Sequence, residues 1–296
     1  MNYKKGICFL LSVFLLTGCA TADTQSEKRK NHENSKIQIG MTLDSKVLER
    51  WVRDVDVFVA EAKKSGAEVD VQSANGDVST QKRQIDNYIK EKKDVIVIIA
   101  ADCNALSEVV KRAHDAGIKI VSYDRLIEDA PSDLYISFDN AEVGSLMAEE
   151  VKKELPKGGS IIMICGPKSD GNALMIEKAF RESIKGTKLN VVRTDYAKGW
   201  TAEYAFQVVD EALADINEID GVMCGNDALA VQAVNALAEK QLAGKVCVVG
   251  QDADVEACQK VVEGLQSMTV YKDVDLLAKT AAQYSVMLAQ ELDLTG

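Results

Sequence analysis

The chain is 296 residues long and 47% hydrophobic with only three prolines, and its 46 acidic against 35 basic side chains give a formal charge of −11. That size and apolar content fit one large buried core or two moderate ones. The acidic balance opposes the phosphate backbone and excludes nucleic acid as a partner.

At the start, Lys4 and Lys5 precede an apolar run over residues 6–16 and the sequence LTGC at residues 16–19. The run is too short to span a hydrocarbon layer as a helix, which needs about 20 residues. It predicts a cleaved signal peptide over residues 1–18. The ending resembles a bacterial lipobox, which implies lipidation of Cys19 and a domain anchored on the extracytoplasmic side of the cell membrane. Contact with the membrane is then through the lipid anchor only, because no later segment is apolar enough to cross. Residues 19–35 are polar, carry no apolar period and read as a flexible tether. Of the seven cysteines, Cys8 goes with the signal and Cys19 with the anchor. That leaves Cys103, Cys165, Cys224, Cys247 and Cys258, an odd number without a C-x-x-C pair, which argues against a disulfide framework or a zinc site.

From residue 36 onward, short Val- and Ile-rich runs alternate with amphipathic ones. KIQIGMT leads to a predicted helix over 45–65, VDVQS to one over 78–92 and VIVIIA to one over 103–116, before the strand IKIVSY. A second series follows. YISFD leads to a helix over 140–154, SIIMIC to 172–185, NVVRT to 201–214, IDGVMC to 227–241 and then KVCVVG; a helix, the strand QSMTVYK and a helix over 273–292 complete the chain. Strands this continuously apolar belong to parallel sheets covered by helices on both faces. The fold class is therefore α/β, with two doubly wound parallel-sheet lobes joined by a hinge. The N-terminal lobe is expected over 36–138 and 272–296, the C-terminal lobe over 139–271, and the hinge near Asp139, Ala253 and Lys272.

In open α/β sheets, ligands sit beyond the carboxyl ends of the strands. There the sequence places Tyr123, Asp124 and Arg125, then Asp139 and Asn140, the loop 166–172, Trp200, Asn226 and Asp227, Gln251 and Asp252, and Lys272, with Arg50 and Trp51 close after the first strand. A neutral polyol has hydroxyls that both donate and accept. Its site needs fixed acceptors, fixed donors, amides that do both and an aromatic plate for C–H faces, and this set supplies all four.

The runs LERW (48–51), VQSANG (71–76), YDRLI (123–127), YISFDN (135–140), GQDAD (250–254) and MTVYK (268–272) resemble the D-xylose-binding proteins of bacterial sugar uptake, within the type I periplasmic binding protein superfamily. The resemblance covers residues 36–292. It implies a two-lobed protein that closes around one D-xylose molecule, uses no cofactor and catalyses nothing. The sugar-binding residues it implies are Arg50, Trp51, Asp124 and Arg125 from the first lobe, Asn172, Trp200, Asn226 and Asp252 from the second, and Lys272 at the crossover, with Trp51 and Trp200 as stacking plates. Two departures stand out. Gly171 occupies the place of a second asparagine before Asn172. Family members also continue past the last helix into a further crossing segment, whereas this sequence ends at Gly296; either its hinge has two strands or the sequence is part of a longer one.

Enzymatic readings fail on residue type. The loop 166–171 has G-x4-G spacing, yet Asn172 and Ala173 stand where a phosphate loop needs Lys and Ser or Thr. The histidines are His32, in the tether, and His114, so neither a Ser-His-Asp triad nor a histidine metal site can be assembled. The sugar-responsive repressors that share this core need a basic helix-turn-helix head, where this chain has a signal peptide. Two binding roles remain: a receptor for an ABC sugar permease, or a sensor acting on the extracytoplasmic domain of a histidine kinase. A receptor for another monosaccharide is the alternative to D-xylose.

Overall fold

The protein is seen here in a computed structural model that describes residues 36–216 and 218–294. The expected signal peptide, Cys19 and the expected tether lie outside the described residues. The described residues from Ile37 onward form a compact unit.

The first lobe carries β1 (Ile37–Leu43), α1 (Glu49–Lys64), β2 (Ala67–Ser73), α2 (Val78–Lys90), β3 (Val95–Ile99), α3 (Ser107–Asp115), β4 (Lys119–Tyr123) and β5 (Leu134–Ile136). The second carries α4 (Asn140–Glu154), β6 (Gly159–Cys165), α5 (Gly171–Ser183), β7 (Leu189–Tyr196), α6 (Glu203–Asp215), β8 (Gly221–Cys224), α7 (Asp227–Glu239), β9 (Cys247–Gln251), α8 (Val255–Val262) and β10 (Met268–Val270). The last helix, α9 (Val274–Ala289), packs back on α1 and the first sheet. Among the described residues there are two five-stranded sheets, ordered β2-β1-β3-β4-β5 and β10-β9-β8-β6-β7, and the recorded pairings are all parallel. No helix among them is long and apolar enough to cross a membrane.

Because successive strand side chains point to opposite faces, each buried strand feeds two layers. All five residues of β3 are buried: Val95, Val97 and Ile99 join the layer containing Trp51 and Phe58, while Ile96 and Ile98 join Ile85, Tyr88, Val109 and Val110. In the second lobe, Ile162, Ile164 and Val222 face one layer, and Ile161, Met163 and Met223 face Val143, Met147 and Phe180. Helices α4 and α5 approach so closely that a Cβ on Gly144 would overlap the carbonyl oxygen of Ile176 and come within 2.9 Å of the Ala179 Cβ.

Three sequence expectations need correction. The helix expected over 45–65 begins only at Glu49. The helix expected over 103–116 begins only at Ser107, because the preceding residues spend their backbone groups elsewhere: the Cys103 N–H donates to Ser169 O of the other lobe, its carbonyl accepts from Glu128 N, and Asn104 N–H donates to the Asp102 carboxylate. Ala253, expected at the hinge, lies inside the second lobe, since β9 and β10 on either side of it belong to one sheet. Its N–H donates to Thr269 Oγ1. The described chain passes between the sheets after β5 and again after β10. Across the second passage, the Arg53 guanidinium on α1 forms a bidentate pair with Asp275 on α9, at 2.7 and 2.6 Å.

Candidate sugar-binding cleft

The carboxyl ends of the two sheets face each other across a narrow cleft with about 20 Å³ of free space. All nine residues that the resemblance implies line it, Arg50, Trp51, Asp124, Arg125, Asn172, Trp200, Asn226, Asp252 and Lys272, whereas the strand-end residues Tyr123, Asp139, Asn140 and Asp227 do not. Leu48, Ala173, Ile176 and Gln251 complete the wall. Gln251 was readable as the strand-end neighbour of Asp252; the three apolar residues carried no chemical signal.

Local backbone geometry places these side chains. Directly after β4, Asp124 takes φ +63°, with its N–H bonded to Ile136 O. Trp200 has φ +58°, Asp252 φ +104° and Ala253 φ +55°. A tryptophan in the left-handed region is costly, and such strain gathers at ligand clamps where the surroundings over-determine it. Here the surroundings are glycines: a Cβ on Gly166 would overlap the Trp200 indole, and one on Gly225 would come within 3.2 Å of it. Asn226 caps α7, its Oδ1 accepting from Leu229 N, so its amide group is held with the nitrogen uncommitted to that bond.

The charges interlock. Arg50 donates to Asp124 Oδ2 at 2.8 Å and lies 3.4 Å from Asp54 and 3.9 Å from Asp252. Lys272 Nζ is 3.5 Å from Asp252 Oδ1. Arg125 donates to Asp44 and to Ala100 O, each at 2.8 Å, and pairs through Nε with Asp170 at 2.8 Å. Burial works against Arg50, yet Asp124, Asp54 and Asp252 hold its guanidinium well above the ordinary value. Burial would likewise lift Asp124, but Arg50, Lys272 and Arg125 outweigh it and keep the carboxyl below the usual range. Behind Arg50 sits Asp54, raised by burial against the pull of Arg50 and hydrogen-bonded by the Tyr123 hydroxyl. The guanidiniums of Arg50 and Arg125 lie 4.3 and 5.4 Å from the Trp51 ring centroid, within cation–π range.

Among the described residues, six buried side-chain polar atoms make no hydrogen bond, and four of them line this cleft: Trp51 Nε1, Asn172 Oδ1, Gln251 Oε1 and Asp252 Oδ1, the last approached only by the ion pairs to Lys272 and Arg50. A buried unsatisfied polar atom costs about 1–3 kcal/mol, so a concentration of them marks a place built for a ligand. One is a donor and three are acceptors, a set that hydroxyl groups can satisfy.

Residues 39–293 match the family described as "Periplasmic binding protein domain". The chain belongs to that family. It is 43% identical over 293 residues to the D-xylose-binding periplasmic protein of Escherichia coli K12, covering 97% of this chain and 85% of the relative. Among solved structures it resembles an ABC transporter solute binding protein from Clostridium phytofermentans with bound β-D-glucose, at 31% identity and a TM-score of 0.74 over 81% of each chain. It also resembles one from Bacillus halodurans with bound myo-inositol, at 25% identity and a TM-score of 0.83, covering 89% of this chain and 92% of the other. The protein is thus a binding protein of the periplasmic type and not an enzyme.

Proposed function

We infer that this protein is an extracytoplasmic D-xylose receptor that closes around the sugar and hands it to an ABC permease, held at the cell membrane by a lipid on Cys19. The observation that carries the reading is the set of four unsatisfied polar atoms inside a cleft lined by carboxylates, cations, amides and two indoles. In this reading Asp124, Asp252 and the free amide oxygens of Asn172 and Gln251 accept from sugar hydroxyls, Arg50, Arg125, Lys272 and the Asn226 amide nitrogen donate, and Trp51 and Trp200 cover the C–H faces. The relatives named for D-xylose, at 43% and 40% identity, support pentose over hexose. A permease is preferred to a sensor kinase because the solved relatives are named as ABC transporter binding proteins.

Calorimetry on residues 36–296 with D-xylose, D-ribose, D-galactose and D-glucose tests the ligand. D-xylose is expected to bind far more tightly than the rest, and preference for ribose would refute the choice. For the anchor, Cys19→Ser in the full chain should release the protein from the membrane fraction of its native bacterium; retention there would show that no lipid on Cys19 holds it.

A further inference from the structure

Asp170 does not line the cleft, yet it joins both lobes. It is 3% exposed and stands at the N-cap of α5, where its Oδ1 accepts from Asn172 N at 3.0 Å. Its Oδ2 forms an ion pair with Arg125 Nε of the first lobe at 2.8 Å and accepts from the Trp200 indole N–H at 3.3 Å. Arg125 is itself fixed within the first lobe by Asp44 and Ala100 O, and it lies over the Trp51 ring. A continuous chain therefore runs Trp51, Arg125, Asp170, Trp200 across the cleft. Directly beside it, Cys103 N–H of the first lobe donates to Ser169 O of the second at 3.0 Å.

We propose that Asp170 is a positioning residue which latches the closed lobes through Arg125 and, with the same carboxylate oxygen, sets the Trp200 indole, so that closure and the separation of the two aromatic plates are fixed together. Three features require this of one side chain. The pair is buried on both sides, at 3% and 4% side-chain exposure, so the charges meet only when the lobes are together. A carboxylate left behind in the seam without its guanidinium would pull the lobes apart toward water, since an uncompensated buried charge is strongly unfavourable. Trp200 holds its left-handed backbone over Gly166 with the indole nitrogen directed at Asp170, so loss of that acceptor frees the plate.

The proposal rests on the sugar-receptor reading for its effect on affinity, but its structural half can be tested without sugar. Trp51 and Trp200 are the only tryptophans in the sequence, so intrinsic emission reports on the cleft alone. Asp170→Ser keeps a favoured helix-cap residue while deleting the carboxylate. Asp170→Asn keeps the cap and an oxygen for the indole but loses the charge. In residues 36–296, Asp170→Ser should enlarge the ligand-free radius of gyration in small-angle scattering, shift the emission to the red and weaken D-xylose binding about ten- to a hundredfold. Asp170→Asn should remain folded, yet show the same expansion and a weaker affinity; it carries the test if the serine variant fails to fold. Wild-type compaction and affinity in Asp170→Asn would overturn the latch. If the wild type binds no aldose while either variant still expands, the latch stands and the sugar assignment falls.

Discussion

At the scale of single residues, the cleft works by making ionised side chains hold one another in place. Arg50 is gripped by Asp124, approached by Asp54 and placed near Asp252, and each partner loses its counter-charge if one is deleted. A charge-assisted hydrogen bond contributes about 1.5–3 kcal/mol, so Asp124→Ala and Asp252→Ala should each weaken D-xylose binding about ten- to a hundredfold in calorimetry. Normal binding in both would mean that the ligand sits elsewhere. Asp227 offers a separate test. It is fully buried at the start of α7, accepts from Asp254 N, Thr269 Oγ1 and Gln266 Nε2, and is raised by burial to about 7. A carboxyl with a raised native pKa favours folding when protonated, so its contribution is complete below its unfolded pKa of about 4 and is lost as pH rises through 7. The melting temperature of wild type minus that of Asp227→Asn should therefore be most positive near pH 4, fall toward pH 7 and flatten above it. The swing corresponds to as much as about 4 kcal/mol. A difference that stays flat over this range would show an unperturbed carboxyl.

Among the elements, α4 and α5 show how small residues decide spacing. Alanine has the better intrinsic helix propensity, by about 1 kcal/mol, yet Gly144 sits where a Cβ would meet the backbone of the neighbouring helix. Backbone cannot rotate away as a side chain can, so overpacking at about 1–3 kcal/mol wins. Gly144→Ala should lower the melting temperature by several degrees while leaving α8 and the first lobe protected in hydrogen exchange. An unchanged or higher melting temperature would show that the helices have room to part. This is the kind of contact that the sequence does not display: Gly144 reads as a mild helix weakener until α5 is known to lie against it. Asp124 differs, because its place at the end of IKIVSY was legible from hydrophobicity alone.

For the whole molecule, the proposed function requires closure, because the proposed ligands are divided between two sheets that the described chain joins by two passages. A sugar shifts an open-closed equilibrium only by its differential affinity for the two forms, and hydroxyls reaching both Asp124 and Asp252 supply that difference. Scattering from residues 36–296 should show a smaller radius of gyration with saturating D-xylose, and Asp252→Ala should lose that change while keeping its melting profile. An identical profile with and without sugar would rule out closure as the signal a permease reads.

The alternation of apolar runs by itself determined the two parallel sheets and the order of their elements, because burying both faces of a strand leaves a continuous hydrophobic signature that needs no partner to be recognised. It also placed all nine candidate ligand-binding residues at strand ends or in the turns that follow. What only the tertiary structure decided were relations between distant segments. Asp170 at a helix start is in sequence an ordinary cap, and becomes a bridge once Arg125 and Trp200 converge on it. Ala253 looked like hinge until the pairing of β9 with β10 put both in one sheet. Local patterns record what each residue must bury, whereas the partner that satisfies a buried charge is chosen by how the lobes meet, and no short stretch of sequence contains that information.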